Sequence, residues 1–164
     1  MKNLESKFDE IYKTNYPKVI RLCLGYVNGD SMLAKELAQD VFIKVWENLH
    51  TFRKESSLST WIYRITVNTC LSSFKKGKMG YMTNELINLE NKIDLEEEQE
   101  NNELQISQLY CCINKLNKDN KSIILLELEG LPQKEIAEVM GFTHEVIRVR
   151  IHRIKNELTK CVTK

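Results

Sequence analysis

The sequence contains few of the residues that interrupt helices. Its 164 residues include two prolines and six glycines, a composition that excludes collagen-like and low-complexity proteins. No apolar run approaches the roughly 20 residues of a membrane-spanning helix, and the opening MKNLESKFDE is charged throughout. We therefore expect no membrane insertion, no secretory signal and a cytoplasmic location.

Cysteine is present in an odd number without the paired close spacing of a disulfide framework or a zinc site. Adjacent Cys111 and Cys112 cannot point the same way on a helix. We expect reduced thiols packed as small apolar side chains, with no metal and no cofactor. The alternative is a zinc or redox-sensing role in which His144, His152 and Cys161 take part. The five cysteines are Cys23, Cys70, Cys111, Cys112 and Cys161.

Motifs of catalysis are also missing. The sequence has no glycine-rich phosphate loop, no Ser/His/Asp order and no metal-ligand spacing. We expect a protein that is not an enzyme.

The net charge of +1 hides an uneven distribution of charge. Residues 1–80 carry 13 basic and 8 acidic side chains, residues 81–109 carry 1 and 8, and residues 110–164 carry 10 and 7. Two basic segments therefore flank an acidic one, and such patches rather than the total charge indicate binding to nucleic acid.

Abundant Leu, Ile, Glu and Lys, without strand-like alternation, predict helices almost throughout. The acidic segment has too few large apolar residues to fold alone, which is typical of a linker. We predict an all-α protein with two small helical domains, 1–80 and 104–164, joined by an acidic linker at 81–103. The predicted helices span about 4–26, 30–49, 58–76, 104–116, 117–129, 132–140 and 143–160.

The carboxyl-terminal segment has the form of a helix-turn-helix motif: a short helix, Gly141 in a turn, and a basic second helix. At 100° per residue, Ile147, Ile151, Ile154 and Leu158 form a core stripe on the last helix. The opposite face presents Glu145, Arg148, Val149, His152 and Arg153, which can read base edges in a major groove, and Arg150 and Lys155 flank it. The alternative is an ordinary helical hairpin with a solvated face.

The second predicted helix has a wide apolar face and an unusual outer face. Ile43 and Trp46 lie among acidic and amide side chains on the outside, a combination that suits docking of a basic partner helix. The alternative is that Ile43 is exposed incidentally. The outer positions are Glu36, Gln39, Asp40, Ile43, Trp46 and Glu47.

The third predicted helix has apolar or aromatic residues on two sides. Trp61 and Asn68, with basic side chains nearby, can face single-stranded nucleic acid through stacking and hydrogen bonding. The alternative, which we favour for Trp61, is packing in the domain core.

Three ordered segments, 34–46, 60–68 and 130–155, resemble the sigma-70 family of bacterial RNA polymerase initiation factors, in particular its small extracytoplasmic-function subfamily. The resemblance covers about residues 8–76 and 108–160. It implies a region 2 that binds the β′ clamp helices of core RNA polymerase and helps melt the minus-10 element of promoter DNA. It also implies a region 4 that reads the minus-35 element and contacts the β flap.

The resemblance carries roles onto three sets of residues. The polymerase-binding set is Glu36, Gln39, Asp40, Ile43, Trp46 and Glu47. The minus-10 set is Arg53, Lys54, Ser56, Ser57, Ser59, Trp61, Arg64, Asn68, Lys75 and Lys76. The minus-35 set is Thr143, His144, Glu145, Arg148, Val149, Arg150, His152 and Arg153.

The chain departs from the family pattern at several of these positions. Lys75 and Lys76 replace a usual arginine pair, which keeps the charge but loses bidentate geometry. Glu145 and Val146 stand where Gly-Thr is frequent, so a family preference for a minus-35 sequence does not transfer.

Two other classes of function fit parts of the pattern. A helix-turn-helix regulator would bind duplex DNA without acting as a polymerase subunit, and a helical adaptor would bind protein only. The resemblance further implies an anti-sigma factor as a partner, and we expect a compact free state in which the basic faces are partly masked.

Overall fold

The computed structural model describes residues 2–75 and 97–163. Within them the chain forms seven α-helices and one short 3-10 turn at Leu49–Thr51, with no strands, so the all-α prediction is confirmed. The helices are α1 (Lys2–Tyr26), α2 (Ser31–Asn48), α3 (Leu58–Lys75), α4 (Glu97–Asn114), α5 (Lys118–Leu128), α6 (Gln133–Met140) and α7 (His144–Val162).

The largest difference from the predicted helices is at α4. This helix begins at Glu97, ahead of the predicted start at Leu104, and ends at Asn114. Glutamate and glutamine form helices readily, and carboxylates in a first turn favour the positive end of the helix dipole. The acidic run is therefore sufficient to begin the helix. Residues 76–96, with most of the predicted linker, lie outside the described residues.

Side-chain caps fix where several helices begin. Asp30 accepts a hydrogen bond from the Leu33 N–H, Asn117 from that of Asn120, and Thr143 from that of Val146. Each cap satisfies one of the backbone donors left free in a first helical turn. Gly141 ends α6 with a φ of 74°, a left-handed conformation that costs glycine little, and so permits the turn of the helix-turn-helix motif.

The first three helices form a bundle with a continuous apolar core. The inner face of α2 is buried as its spacing predicted, with Ala34, Ala38, Val41 and Val45 all fully enclosed. Cys23 of α1 and Cys70 of α3 meet in this core with their Sγ atoms 3.9 Å apart. These two cysteines are small buried side chains, as expected. The hydrogen bond to Cys23 and burial both raise the pKa of the Cys70 thiol.

Helices α4 to α7 form the second bundle. The predicted stripe on α7, Ile147, Ile151, Ile154 and Leu158, is buried against the other three helices. Ile113, Ile123 and Ile136 bring α4, α5 and α6 into the same core, each with no exposed surface.

A disulfide bond joins Cys112 of α4 to Cys161 of α7. The expectation that all five cysteines are reduced is therefore wrong for this pair. Sequence spacing could not reveal it, because the two residues are 49 positions apart and meet only when the helices pack, with Cα atoms 6.0 Å apart.

The two bundles pack directly against each other through α1 and α5. Gly25 of α1 is buried, and a Cβ atom built on it would lie 2.2 Å from Leu125 Cδ2 of α5. The Tyr26 hydroxyl hydrogen-bonds the buried Ser122 hydroxyl, and Arg21 pairs with Glu129. The cores of the two bundles consequently merge into one cluster.

Lys121 places an ammonium group inside this interface. Its Nζ donates a hydrogen bond to the Tyr26 carbonyl oxygen, 3.2 Å away, and another to Asn114 Oδ1. It also lies 5.1 Å from the Phe74 ring centroid. The last turn of α1 contains no basic residue of its own. Lys121 of the other bundle instead supplies a positive charge at the negative, carboxyl-terminal end of the α1 helix dipole. Burial lowers the pKa of Lys121 from 10.5 to about 8.

Replacing Cys161 by serine should lower the free energy of unfolding of the oxidised protein by about 4 kcal/mol, because the bond restricts a long loop of the unfolded chain. Urea unfolding with and without a thiol reductant measures this, and Cys111→Ser is the matched control outside the bond. We expect reductant to shift the midpoint of the wild type and of Cys111→Ser. A wild type indifferent to reductant would contradict the pairing.

The free energy of unfolding of the wild type, taken relative to that of Lys121→Met, should rise between pH 8 and the onset of tyrosine ionisation near pH 10. The comparison removes the opposite contribution of the Cys70 thiol, whose raised folded pKa lowers stability in the same range. In that range the unfolded chain keeps a proton on Lys121 that the folded chain has released, because the folded pKa is about 8 against 10.5. The state that binds more protons is disfavoured as pH increases. Urea unfolding of both proteins across this range measures the difference in slope, which should be positive for the wild type relative to Lys121→Met; equal slopes would refute the prediction.

Candidate protein-binding and nucleic-acid interfaces

The outer face of α2 carries the predicted polymerase-binding set. The helix turns its apolar stripe towards α1 and α3, which leaves Ile43 49% and Trp46 42% exposed. The four polar members of the set, Glu36, Gln39, Asp40 and Glu47, are exposed on the same helix. The structure thus brings all six predicted residues onto the outside of one helix, with two large apolar side chains among acidic ones.

An aromatic groove extends this face onto α1, which the sequence reasoning missed. The groove has a volume of about 490 Å³ and is lined by Phe8, Tyr12, Tyr16, Phe42 and Trp46 together with polar residues of α2. The rings of Phe8 and Trp46 meet edge to face with centroids 5.1 Å apart, and those of Tyr12 and Phe42 with centroids 4.8 Å apart. The sequence carried a signal for this groove, because Phe8, Tyr12 and Tyr16 recur every four residues and so share one face of a helix.

The loop before α3 carries the first members of the minus-10 set. Arg53, Lys54 and Ser57 are exposed, whereas Ser56 and Ser59 are half-buried. Lys54 has a φ of 60°, an uncommon left-handed conformation for a lysine. The Ser57 hydroxyl accepts a hydrogen bond from the Thr60 N–H and so begins α3.

Helix α3 presents two members of the set freely and holds two others in contacts. Asn68 and Lys75 are exposed. Trp61 is half-buried with its ring centroid 5.1 Å from that of Phe52, which agrees with the packing alternative. Arg64 Nη2 donates a hydrogen bond to the Glu138 carbonyl oxygen of α6, 2.8 Å away. Lys76 lies outside the described residues.

The predicted minus-35 set lies on α7 and its cap. His144, Glu145, Arg148, His152 and Arg153 are exposed, and so is Val149 at 44%. They occupy the side of α7 opposite its buried stripe, as the helical period predicts. Thr143 is exposed as well, and its hydroxyl caps the helix.

Arg150 differs from the other members of this set because neighbouring side chains hold it. Its guanidinium lies 4.5 Å from the centroid of the Phe142 ring and 3.9 Å from an Asp119 oxygen of α5. Lys155, which flanks the reading face, pairs with Glu127 of α5 at 3.1 Å. Both flanking cations therefore have an acidic partner on α5.

Neither a membrane-spanning helix nor a metal-binding cluster is found in the described ranges 2–75 and 97–163. None of their helices is long and apolar enough to cross a bilayer. In the same ranges no cluster of three or more His, Cys, Asp or Glu side chains could hold a metal ion.

Comparison with known proteins assigns both halves of the chain. Residues 11–79 match the family model described as Sigma-70 region 2, and residues 106–158 match the one described as Sigma-70, region 4. The first range contains α2 and α3, and the second contains α5, α6 and most of α7.

Curated relatives and solved structures agree with the two models. The chain is 28% identical to RNA polymerase sigma factor YlaC of Bacillus subtilis, over 100% of this chain and 96% of the relative. It is 32% identical to the ECF RNA polymerase sigma-E factor of Haemophilus influenzae, over 84% of this chain and 78% of the relative.

Two solved structures share the fold at low sequence identity. One is CnrH in complex with the cytosolic domain of CnrY, with a TM-score of 0.73 at 16% identity over 97% of this chain and 89% of that one. The other is the sigma factor RpoE of Bartonella quintana in complex with the anti-sigma factor NepR, with a TM-score of 0.70 at 19% identity over 96% and 97% of the two chains.

Both family models match the chain in the family's order and together cover most of it, and the curated relatives have a similar length. These findings lead to one identification. The chain belongs to the extracytoplasmic-function (ECF) group of the sigma-70 family, and it is a transcription initiation factor that works with core RNA polymerase and promoter DNA.

Proposed function

We propose that this sigma factor binds core RNA polymerase through the outer face of α2 and engages promoter DNA through α3 and α7. The observation that carries the proposal is the exposed pair Ile43 and Trp46, set among Glu36, Asp40 and Glu47 on one helix. Folding alone gives no reason to leave two large apolar side chains in water beside carboxylates.

The chemistry of the α2 face suits a basic helical partner such as the β′ clamp helices. Large apolar side chains at the centre of an interface contribute most of its binding energy, and Trp is enriched among such residues. Surrounding carboxylates attract a basic partner and increase the association rate. Gln39 and Asp40 can also accept hydrogen bonds from arginine or lysine donors.

For the minus-10 element we propose that the loop 53–59 and the outer side of α3 hold an unpaired promoter strand. Arg53, Lys54, Arg64 and Lys75 supply positive charge to neutralise phosphates. Exposed Asn68 has both a donor and an acceptor for base edges. Extruding a base costs a few kcal/mol, which hydrogen bonds in a preformed polar loop can offset.

For the minus-35 element we propose that α7 enters the major groove. Arg148 and Arg153 can pair with guanine edges or phosphates, and Val149 can contact a thymine methyl group. Arg150, held by Asp119 and Phe142, is positioned to contact a phosphate, which sets the register of a helix on duplex DNA without reading sequence.

Three further parts of the proposal concern the cellular role. We propose that the chain itself catalyses no reaction, that it acts in the cytoplasm, and that an anti-sigma factor regulates it. The last part is supported by the fold shared with two proteins that were solved in complexes, one of which is a sigma factor bound to an anti-sigma factor.

One prediction from the proposed function concerns polymerase binding by α2. Replacing Asp40 and Ile43 together by alanine should weaken binding of the full chain to core polymerase at least about tenfold, roughly 1.4 kcal/mol, as expected for a residue at an interface centre. The measurement is titration of labelled chain with core enzyme.

Met32→Ala is the matched control for this titration, because Met32 is a 75% exposed apolar residue at the other end of α2. It should leave binding unchanged. If the double substitution of Asp40 and Ile43 leaves binding to core polymerase unchanged while the chain still binds duplex DNA, the chain acts as a helix-turn-helix regulator without polymerase and the proposal is wrong.

Another prediction from the proposed function concerns DNA reading by α7 within the holoenzyme. Replacing Arg148 and Arg153 by alanine should weaken promoter binding by about 1–3 kcal/mol for each arginine that pairs with a base edge. If either arginine neutralises a phosphate instead, the slope of log K against log salt should become shallower by about 0.9 for each phosphate released.

Lys160→Ala is the matched control, because Lys160 is an exposed cation in the last turn of the same helix. We expect it to keep wild-type affinity at every salt concentration. DNA affinity unaffected by the double substitution would support a protein-binding adaptor instead.

A further inference from the structure

The bond between Cys112 and Cys161 joins the proposed DNA-reading helix α7 to α4, in a protein that is proposed to act in the cytoplasm. Cellular thiols keep most cytosolic cysteines reduced, and the disulfides that do form there are usually transient, with redox-sensing or catalytic roles. We infer that this pair is a thiol–disulfide exchange site whose oxidation state sets how well α7 binds duplex DNA. The inference rests on the proposed function of α7 and adds its regulation.

The bond lies where both helices end. Cys112 is in the last turn of α4, which ends at Asn114, and Cys161 comes just before Val162, the last residue of α7. The buried stripe of α7 stops at Leu158, and no described side chain of the helix beyond it is fully buried. The bond therefore fixes an end of α7 that apolar packing holds weakly.

Helix α4 depends on the same end. Its side chains at 101–106 are all exposed, and among its described side chains only Cys112 and Ile113 are buried. A segment with few buried apolar contacts opens locally at a lower free energy than the core does. The bond closes this weak point, because α4 cannot separate from the end of α7 while the bond is intact.

The bond is a large stabilising contribution relative to the core that it supports. The described part of the second bundle is residues 97–163, and a single core in a domain below about 70 to 80 residues supplies little net stability. The two cysteines are 49 positions apart, and the stabilisation by a disulfide grows with the loop that it closes. Reduction therefore removes a substantial part of the free energy that keeps α4 on α7.

Loosening α4 affects the reading face through the shared core. Ile113 of α4 belongs to one buried cluster with Ile151 and Ile154 of α7. Arg148 and Arg153 lie on the opposite side of α7, so the packing of the isoleucines sets the direction in which the arginines point. When α4 separates, the isoleucines lose part of their cover and α7 loses its fixed orientation. Binding to DNA must then also supply the free energy of ordering the helix, which weakens the affinity.

Access to solvent favours exchange at one of the two sulfur atoms. Cys112 is 6% exposed, whereas Cys161 is half-buried at the end of α7. A thiolate of glutathione attacks Cys161 Sγ, the S–S bond breaks, and Cys112 leaves as a thiolate that takes up a proton. A second glutathione thiolate then attacks the glutathione sulfur of the mixed disulfide, which releases Cys161 and forms glutathione disulfide. Glutathione disulfide oxidises the pair by the same steps in reverse.

The size of the effect on DNA binding follows from populations. If reduction leaves about one chain in ten with α7 in its reading orientation, the apparent affinity for duplex DNA falls about tenfold. The oxidised chain should bind with the full affinity, so the protein should read promoters best under oxidising conditions. The bond joins two helices of the second bundle, so binding of core polymerase through α2 should be the same in both states.

One measurement tests exchange in the full chain. The protein is equilibrated in a series of buffers with different ratios of glutathione to glutathione disulfide, its thiols are trapped with a maleimide, and peptide mass spectrometry gives the fraction in which Cys112 and Cys161 are bonded. We expect the bond to open at the high ratio typical of cytosol and to form again as the share of glutathione disulfide rises. A bond that persists throughout the series, or that does not form again after reduction, would overturn the inference.

A parallel measurement tests DNA binding by the same samples. The probe is a fluorescein-labelled duplex DNA of random sequence, and the reduced wild type should bind it about tenfold more weakly than the oxidised wild type, a comparison that needs no substitution. The double variant Cys112→Ala with Cys161→Ala should bind as weakly as the reduced wild type in every buffer, and circular dichroism checks that its helices remain. Cys111→Ser is the matched control, because Cys111 is adjacent to the pair but outside the bond, and it should respond as the wild type does.

Equal or tighter DNA binding by the reduced wild type would overturn the regulatory role of the bond. A loss of the redox response in Cys111→Ser would overturn its assignment to Cys112 and Cys161. Failure of the proposed function would appear differently, as a chain that binds duplex DNA in neither redox state or that does not bind core polymerase.

Discussion

The close approach of α1 and α5 at Gly25 is the constraint on which the rest of the arrangement depends. Each bundle alone has only three or four helices, and small bundles bury too little of their apolar surface to be very stable. Packing Leu125 against the bare backbone of Gly25 joins the two cores into one cluster. That contact brings Ser122 to Tyr26 and Glu129 to Arg21, and α6 comes to lie on α3.

Helix positions could be predicted because their signals are local. The apolar stripe of α7 and the starts of α2, α5 and α7 need only neighbouring residues to be recognised, and the structure has the stripe buried and each start one residue from the predicted position. The outer face of α2 followed from the same helical period. The start of α4 was predicted too late, because burial was used as the criterion where the helix propensity of acidic residues was sufficient.

Contacts between distant residues could not be predicted in this way. Cys112 and Cys161 carry no local sign of pairing, and Gly25 in a helix looks only like a weak point until Leu125 is placed beside it. The same reason hid the hydrogen bond from Arg64 to Glu138. From sequence alone, a basic side chain on a helix with nucleic-acid-binding features is predicted to contact a phosphate. Only the fold shows that this side chain instead hydrogen-bonds a neighbouring helix.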